Sequence, residues 1–194
     1  MFVIYDLEFT TWEGAQDCGW IGPGEFLEIV QIGAIRVASE ALSVDGEFEV
    51  LVKPRRNPQV SGFFHELTGI GNGDIEARGT DFLDAFNQFL KFCDGSYSLS
   101  YGNDMVIFGE NIILQIPPDR VPDLPLPPFV NIRPYVNRVL PVTRELNAGR
   151  LGEGLGRMPA GGGAAKHDAL HDCYSILEAL RHLREQGLPL FTVE

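Results

Sequence analysis

Residues 1–10 read MFVIYDLEFT, and residues 28–38 read EIVQIGAIRVA. Both stretches are rich in β-branched and aromatic side chains, which suit a pleated, half-buried surface. The first is apolar up to Asp6 and reads as a strand over 1–8 that ends in a carboxylate pair, Asp6 and Glu8. Side chains two apart on a strand point to the same face. Two carboxylates side by side repel, and a strand end tolerates them when they are exposed or bound to cations. Taken alone, such a D-x-E pair is more often a polar strand terminus than a metal site.

Outward from these stretches, residues 46–54 (GEFEVLVKP) read as a third strand, and 39–45 is short enough for an antiparallel hairpin. Residues 11–24 hold four glycines and a proline and read as a loop. A short helix is expected over 61–69. A longer one starts at Thr80 as N-cap, with Phe82, Phe86, Phe89 and Cys93 at helical spacing. A short strand over 96–101 leads to a helix over 105–115. Residues 117–128 contain six prolines and read as an extended connector. A last strand over 129–133 and helices over 143–155 and 168–186 complete the chain, the final one closed by Gly187 and Pro189. Three leading strands followed by alternating helices and strands imply an α/β fold, a mixed sheet with helices on both faces. With 194 residues, no repeats and no composition break, a single domain over 1–194 is expected.

The composition is that of an ordinary soluble protein. No signal peptide is visible and no apolar run approaches the roughly 18 residues that span a bilayer. Cys18, Cys93 and Cys173 are odd in number and form no C-x-x-C pair, which argues against a disulfide framework or structural zinc and fits a cytoplasmic location. The net charge of −12 disfavours long, tightly held duplex substrates, because phosphate neutralisation supplies most non-specific affinity. Either the partner is not nucleic acid, or metal ions held by carboxylates supply the positive charge locally.

Two further segments carry candidate chemistry. HDALHD places His167 and Asp172 at the start of the last helix, just after AGGGAAK (160–166), a stretch too glycine-rich to be rigid. Its bland alternative is an acidic helix N-terminus favoured by the dipole, with exposed histidines; His171 reads as a solvent-side histidine. Asp104 follows a strand in SLSYGND, where an N-cap role is the plain alternative.

In order and spacing, Asp6-Leu-Glu8, then Asp104, then His167-x-Ala169-x-x-Asp172 resemble the three motifs of the DEDDh exonucleases of the DnaQ-like superfamily. EIVQIGA, HELTGI (65–70) and FVNIR (129–133) resemble most its KapD and Eri-type branch, whose characterised members act mainly on RNA. Where that branch carries a Trp-Gly pair and an aromatic residue before the second-motif aspartate, this chain reads Tyr101-Gly102-Asn103-Asp104; the other acid nearby is Glu110. The resemblance implies an RNase H-like five-stranded sheet and 3′→5′ hydrolysis of nucleic acid from single-stranded 3′ ends, RNA before DNA, with no membrane partner. It implies two Mg²⁺ or Mn²⁺ ions held by Asp6, Glu8, Asp104 and Asp172, with His167 as the base that takes a proton from water. By the same resemblance Phe9 and Thr10 face the terminal nucleotide and Leu67 wedges against its base. Trp12, Trp20 and Tyr101 are aromatic candidates for base stacking, although loop packing is the better reading for Trp20. Lys53, Arg55 and Arg56 form the one compact basic group and read as a solvated loop. The alternatives are a DNA-directed exonuclease of the same fold and a catalytically silent nucleic-acid-binding module. The complete acidic set with His167 argues against the latter.

Overall fold

The computed structural model describes residues 1–159, 161 and 167–190. Five strands form one mixed sheet in the order β3-β2-β1-β4-β5: β1 Phe2–Phe9, β2 Ile29–Ala38, β3 Ser43–Leu51, β4 Ser98–Ser100 and β5 Phe129–Asn131. β1, β2 and β3 pair antiparallel, joined by the long loop 10–28 and the tight turn 39–42, whereas β4 runs parallel to β1 and β5 parallel to β4. Parallel pairing needs a long crossover, and between β3 and β4 it is supplied by α1 Gly62–Thr68, α2 Asn72–Arg78 and α3 Phe82–Cys93. α4 Asp104–Gln115 connects β4 to β5. α5 Arg133–Val139, α6 Leu151–Gly154 and α7 Ala169–Glu185 follow β5.

The alternation of β1 divides the core in two. Val3, Tyr5 and Leu7 face α3 and α4, where Phe82, Phe86, Phe89 and Phe108 pack ring against ring. Ile4 has the opposite parity and packs with Ile35, Val37 and the apolar stripe of α7. Asp6 and Glu8 share the parity of Ile4, so the sheet delivers them to the α7 face. A smaller cluster seats α1 and α2 on β2 and β3, with Phe64 between Val30 and Leu51.

Three contacts fix the helices that carry the other acids. Gly33 lies opposite Asp6, and a Cβ there would stand 2.5 Å from the backbone of Ala169 and Leu170; only glycine lets α7 come this near to β2. Beside it the Gln31 side chain accepts from the Ala169 N–H at 3.1 Å and donates to Glu49 at 3.0 Å. Asn111, fully buried, accepts from the Ile29 N–H at 3.1 Å and donates to the carbonyls of Leu27 and Ile107, tying α4 to the start of β2.

Most of the expected elements stand within a few residues of their places, and the differences have local causes. The third strand starts earlier than expected, at Ser43, because the connection from β2 is a tight turn. Helix α3 begins at Phe82, with Asp81 rather than Thr80 as its N-cap residue. Helices α2 and α5 were not expected. The expected helix over 143–155 is instead two 3₁₀ turns, Pro141–Thr143 and Ala148–Arg150, and the single turn of α6. The three cysteines are free. Among the described residues no helix is long and apolar enough to cross a membrane.

Candidate active site

Asp6, Glu8 and Asp172 each offer a carboxylate oxygen to one point, the three atoms lying within 4.8 Å of one another and all three residues buried. Burial disfavours a charged carboxylate, and the neighbouring acids add repulsion. Asp6 and Glu8 are both pushed well above the carboxylate range, first by burial and then by Asp172. Asp172 is pushed up to about 7, by burial and by Asp168. Asp172 Oδ1 is buried without a hydrogen-bond partner among the described residues. Buried polar atoms are nearly always satisfied, and a carboxylate with such an oxygen, turned toward the Gly149 backbone beside two more buried acids, fits a cation ligand. An all-oxygen, all-acid donor set suits a hard divalent ion such as Mg²⁺ or Mn²⁺.

Asp104 opens α4 one strand away from β1. It is buried, and burial pushes it up to about 6. It lines the same cleft as the trio but stands outside the 4.8 Å group. His167 also lines the cleft, half-buried, and has φ 63°. The left-handed region is sparsely used by residues other than glycine, and it turns the chain just before Asp168, whose carboxylate caps α7 through the N–H groups of Leu170 and His171. The glycine-rich stretch 160–166 lies, apart from residue 161, outside the described residues. One residue of this wall was not anticipated. A Cβ on Gly149 would lie 2.4 Å from Asp172 Oδ1, so the 3₁₀ turn there closes on the carboxylate with room for glycine alone.

The cleft encloses about 860 Å³, and its sides differ. On the β2 side stand Phe9, Trp12, Trp20, Phe63 and Leu67, an apolar wall. Phe63 was missed in the sequence, although it lies four residues before Leu67 and so on the same face of α1. Trp20 packs edge-on against Phe9 at 5.8 Å and donates to the Thr11 hydroxyl at 3.1 Å, as loop packing requires. On the β5 side stand Tyr101 and Arg133. Arg133 is the one arginine or lysine that lines the cleft among the described residues. Its guanidinium lies 5.4 Å from the Tyr101 ring centre.

Two expectations need correction. Thr10 does not face the cleft: it is 1% exposed, its hydroxyl donates to the Phe26 carbonyl and accepts from the Glu28 N–H, and its own N–H is bound to the Glu28 carbonyl. The bulge after Glu8 turns it inward. Tyr101 lines the cleft but is 4% exposed, with its hydroxyl 2.6 Å from Asn137 Oδ1 and 3.0 Å from the Thr143 carbonyl, so its ring is not open for a base to stack upon. The basic group at 53–56 is directed elsewhere. The Glu28 carboxylate accepts the N–H groups of Arg55, Arg56 and Asn57, Arg55 pairs with Asp81, and Arg56 covers Phe26.

The family model described as "Exonuclease" (RNase_T) matches residues 3–180. No curated protein sequence matches significantly. Among solved structures, the nuclease domain of 3′hExo, a DEDDh family member bound to rAMP, is 23% identical with a TM-score of 0.73, over 100% of this chain and 96% of that one. A full-length 3′-exonuclease is 22% identical with a TM-score of 0.74; the alignment covers 97% of this chain and 62% of that one. The zinc-bound complex of E. coli exonuclease I with single-stranded DNA is 16% identical with a TM-score of 0.65, over 95% of this chain and 40% of that one. At these identities the structural likeness carries the fold, a mixed five-stranded sheet between helices.

Proposed function

The chain belongs to the RNase_T exonuclease family, metal-dependent enzymes that shorten nucleic acid from a 3′ end, and within that premise we propose that it removes nucleoside 5′-monophosphates from the 3′ ends of RNA. The family match spans residues 3–180, which supports reading 1–194 as one exonuclease domain. The observation that carries the mechanism is the convergence of Asp6, Glu8 and Asp172 with the orphaned Asp172 oxygen. In this reading these three and Asp104 hold two divalent ions, Mg²⁺ or Mn²⁺. Bound there, such ions stabilise charge on the attacking and leaving oxygens of an in-line displacement.

The chain's own groups supply the rest. Carboxylates raised by burial and by one another's charge take up cations readily, since each cation offsets both costs. His167 accepts the proton of the attacking water on an imidazole nitrogen, a task suited to an ordinary pKa of roughly 6.5. Phe9 and Leu67, with Phe63 beside them, receive the terminal nucleoside on the apolar wall. The preference for RNA rests on the resemblance to the KapD and Eri-type branch. A DNA-directed enzyme is the second reading, supported by the likeness to an exonuclease solved with single-stranded DNA.

The test uses RNA and DNA strands of one sequence, labelled at the 5′ end, with a free 3′-hydroxyl or a 3′-phosphate, in Mg²⁺, Mn²⁺ or EDTA. The reading expects the labelled RNA to shrink as a ladder, the 3′-phosphate to slow it, and EDTA to stop it. Early release of a labelled 5′ mononucleotide would overturn the direction. Faster loss of DNA than RNA would overturn the substrate.

A further inference from the structure

The charge of the cleft is lopsided. Asp6, Glu8, Asp17, Asp104, Glu110 and Asp172 line it, against one arginine among the described residues. Cations at the carboxylates would offset the scissile phosphate, but a strand continues beyond that bond with one negative charge per nucleotide. The apolar wall lies toward β2, the carboxylates stand on β1, α4 and α7, and Arg133 follows β5 at the opposite edge. A terminal nucleoside on the apolar wall, with its 5′ phosphate at the carboxylates, therefore sends the rest of the strand past Arg133.

Arg133 is built for such a contact. It is exposed, has no ion pair among the described residues, and is the one arginine among them that lines the cleft. Its position is set from below. The guanidinium lies over the Tyr101 ring, and Tyr101 is pinned by Asn137 and Thr143. Its backbone is fixed as well, the Arg133 N–H donating to Asn131 Oδ1 at 3.0 Å. A guanidinium has five N–H donors, so one that lies over the Tyr101 ring and reaches its hydroxyl still has N–H groups for a phosphate. We propose that Arg133, positioned by Tyr101, binds the phosphodiester immediately 5′ of the scissile one and so sets the path by which the strand leaves the cleft. This rests on the nuclease reading of the same site.

The test combines variants with one uncharged linkage. Arg133→Ala, Arg133→Lys and the parent are assayed on a short single-stranded oligonucleotide that is either all-phosphodiester or carries a methylphosphonate at the linkage next to the scissile one. A charge-assisted contact of this kind predicts that Arg133→Ala raises KM by about 10- to 100-fold, with a much smaller change in kcat. The methylphosphonate should weaken the parent by a similar factor and add little to the defect of Arg133→Ala. Arg133→Lys should fall between, keeping the charge and losing the fork. The slope of log(kcat/KM) against log salt should flatten by about 0.7 in Arg133→Ala. Equal KM values for parent and Arg133→Ala, or a methylphosphonate penalty of the same size in both, would overturn the assignment and leave the nuclease reading standing. A parent that cuts no strand would overturn both.

Discussion

Asp6, Glu8 and Asp172 stand on β1 and α7, and α7 is locked to β2, the strand paired with β1, by the glycine contact at position 33 and by Gln31. His167 is five residues before Asp172, yet it precedes the helix cap, on a residue with left-handed backbone, next to a stretch that is mostly glycine and alanine. The carboxylates are held by pairing and packing across the whole sheet; the histidine stands ahead of the helix cap, at a left-handed turn of the chain. That difference in support matches a difference in task. Ion-binding oxygens need fixed mutual distances, because their geometry selects the cation. A proton acceptor needs only to stand within hydrogen-bond reach of one water in the assembled complex.

The comparison breaks most sharply at Asp6. Asp6→Asn keeps the shape and removes the charge from the centre of the trio, so activity should fall by several orders of magnitude and calorimetric titration with Mg²⁺ should lose its signal. Activity within tenfold of the parent would mean that the trio is not the reaction centre. His167→Ala should lose about 10²–10⁴-fold in kcat while the Mg²⁺ titration stays that of the parent. The deficit should shrink as pH rises, because hydroxide then needs no base. A parallel loss of metal affinity would place the histidine with the carboxylates and erase the distinction between the two supports.

A smaller effect tests how rigid the carboxylate side is. In Gly149→Ala the new methyl would sit 2.4 Å from Asp172 Oδ1, so the carboxylate or the turn must move. A displacement of this size costs up to about 10²-fold in rate, with metal affinity weakened alongside. An unchanged variant would show that the 3₁₀ turn yields and that Asp172 is held by α7 alone.

The smallest effect is on stability without metal. Asp104 is raised from 3.8 to about 6 and Asp172 from 3.8 to about 7. Between the ordinary carboxylate range and those values the native chain therefore holds protons that the unfolded chain has released. The stabilisation is fully present at the acid end and is lost as pH rises through the raised values. In EDTA, Tm should fall between about pH 5 and about pH 8, and Mg²⁺ should restore it at the upper end. A Tm that rises over this range in EDTA would mean that burial does not hold these acids protonated in the native state.

The sheet and its two layers were legible because their signals are short-range. The β-branched and aromatic runs of β1 and β2 name their elements, and the phenylalanine stripe of α3 and the leucine stripe of α7 name a buried face as well. Asp6 and Glu8 were legible for the same reason, as neighbours on one strand. What escaped depended on contacts across the chain. Helix α5 was not expected; Pro134 stands in its first turn, where a missing N–H leaves nothing unsatisfied. Thr10 continued a familiar motif, but the bulge after Glu8 gave its hydroxyl to the 26–28 segment. Gly149 carried no local mark, and Arg133, although it closes FVNIR, carried none that pointed to the cleft. Their neighbours, Asp172 and Tyr101, are more than twenty residues away in the chain.

The acidity bears on colloidal behaviour too. β3 is a nine-residue edge strand, the kind of open ladder along which two copies of a chain can pair. It carries Asp45, Glu47 and Glu49 at alternate positions, on the side of the sheet that Tyr174 and Gln31 reach through Glu47 and Glu49. Two such edges meeting antiparallel would set these acids against one another across about 4.5–5.5 Å, and like charges directly opposite oppose pairing. The excess of carboxylates thus guards an exposed ladder from edge-to-edge aggregation.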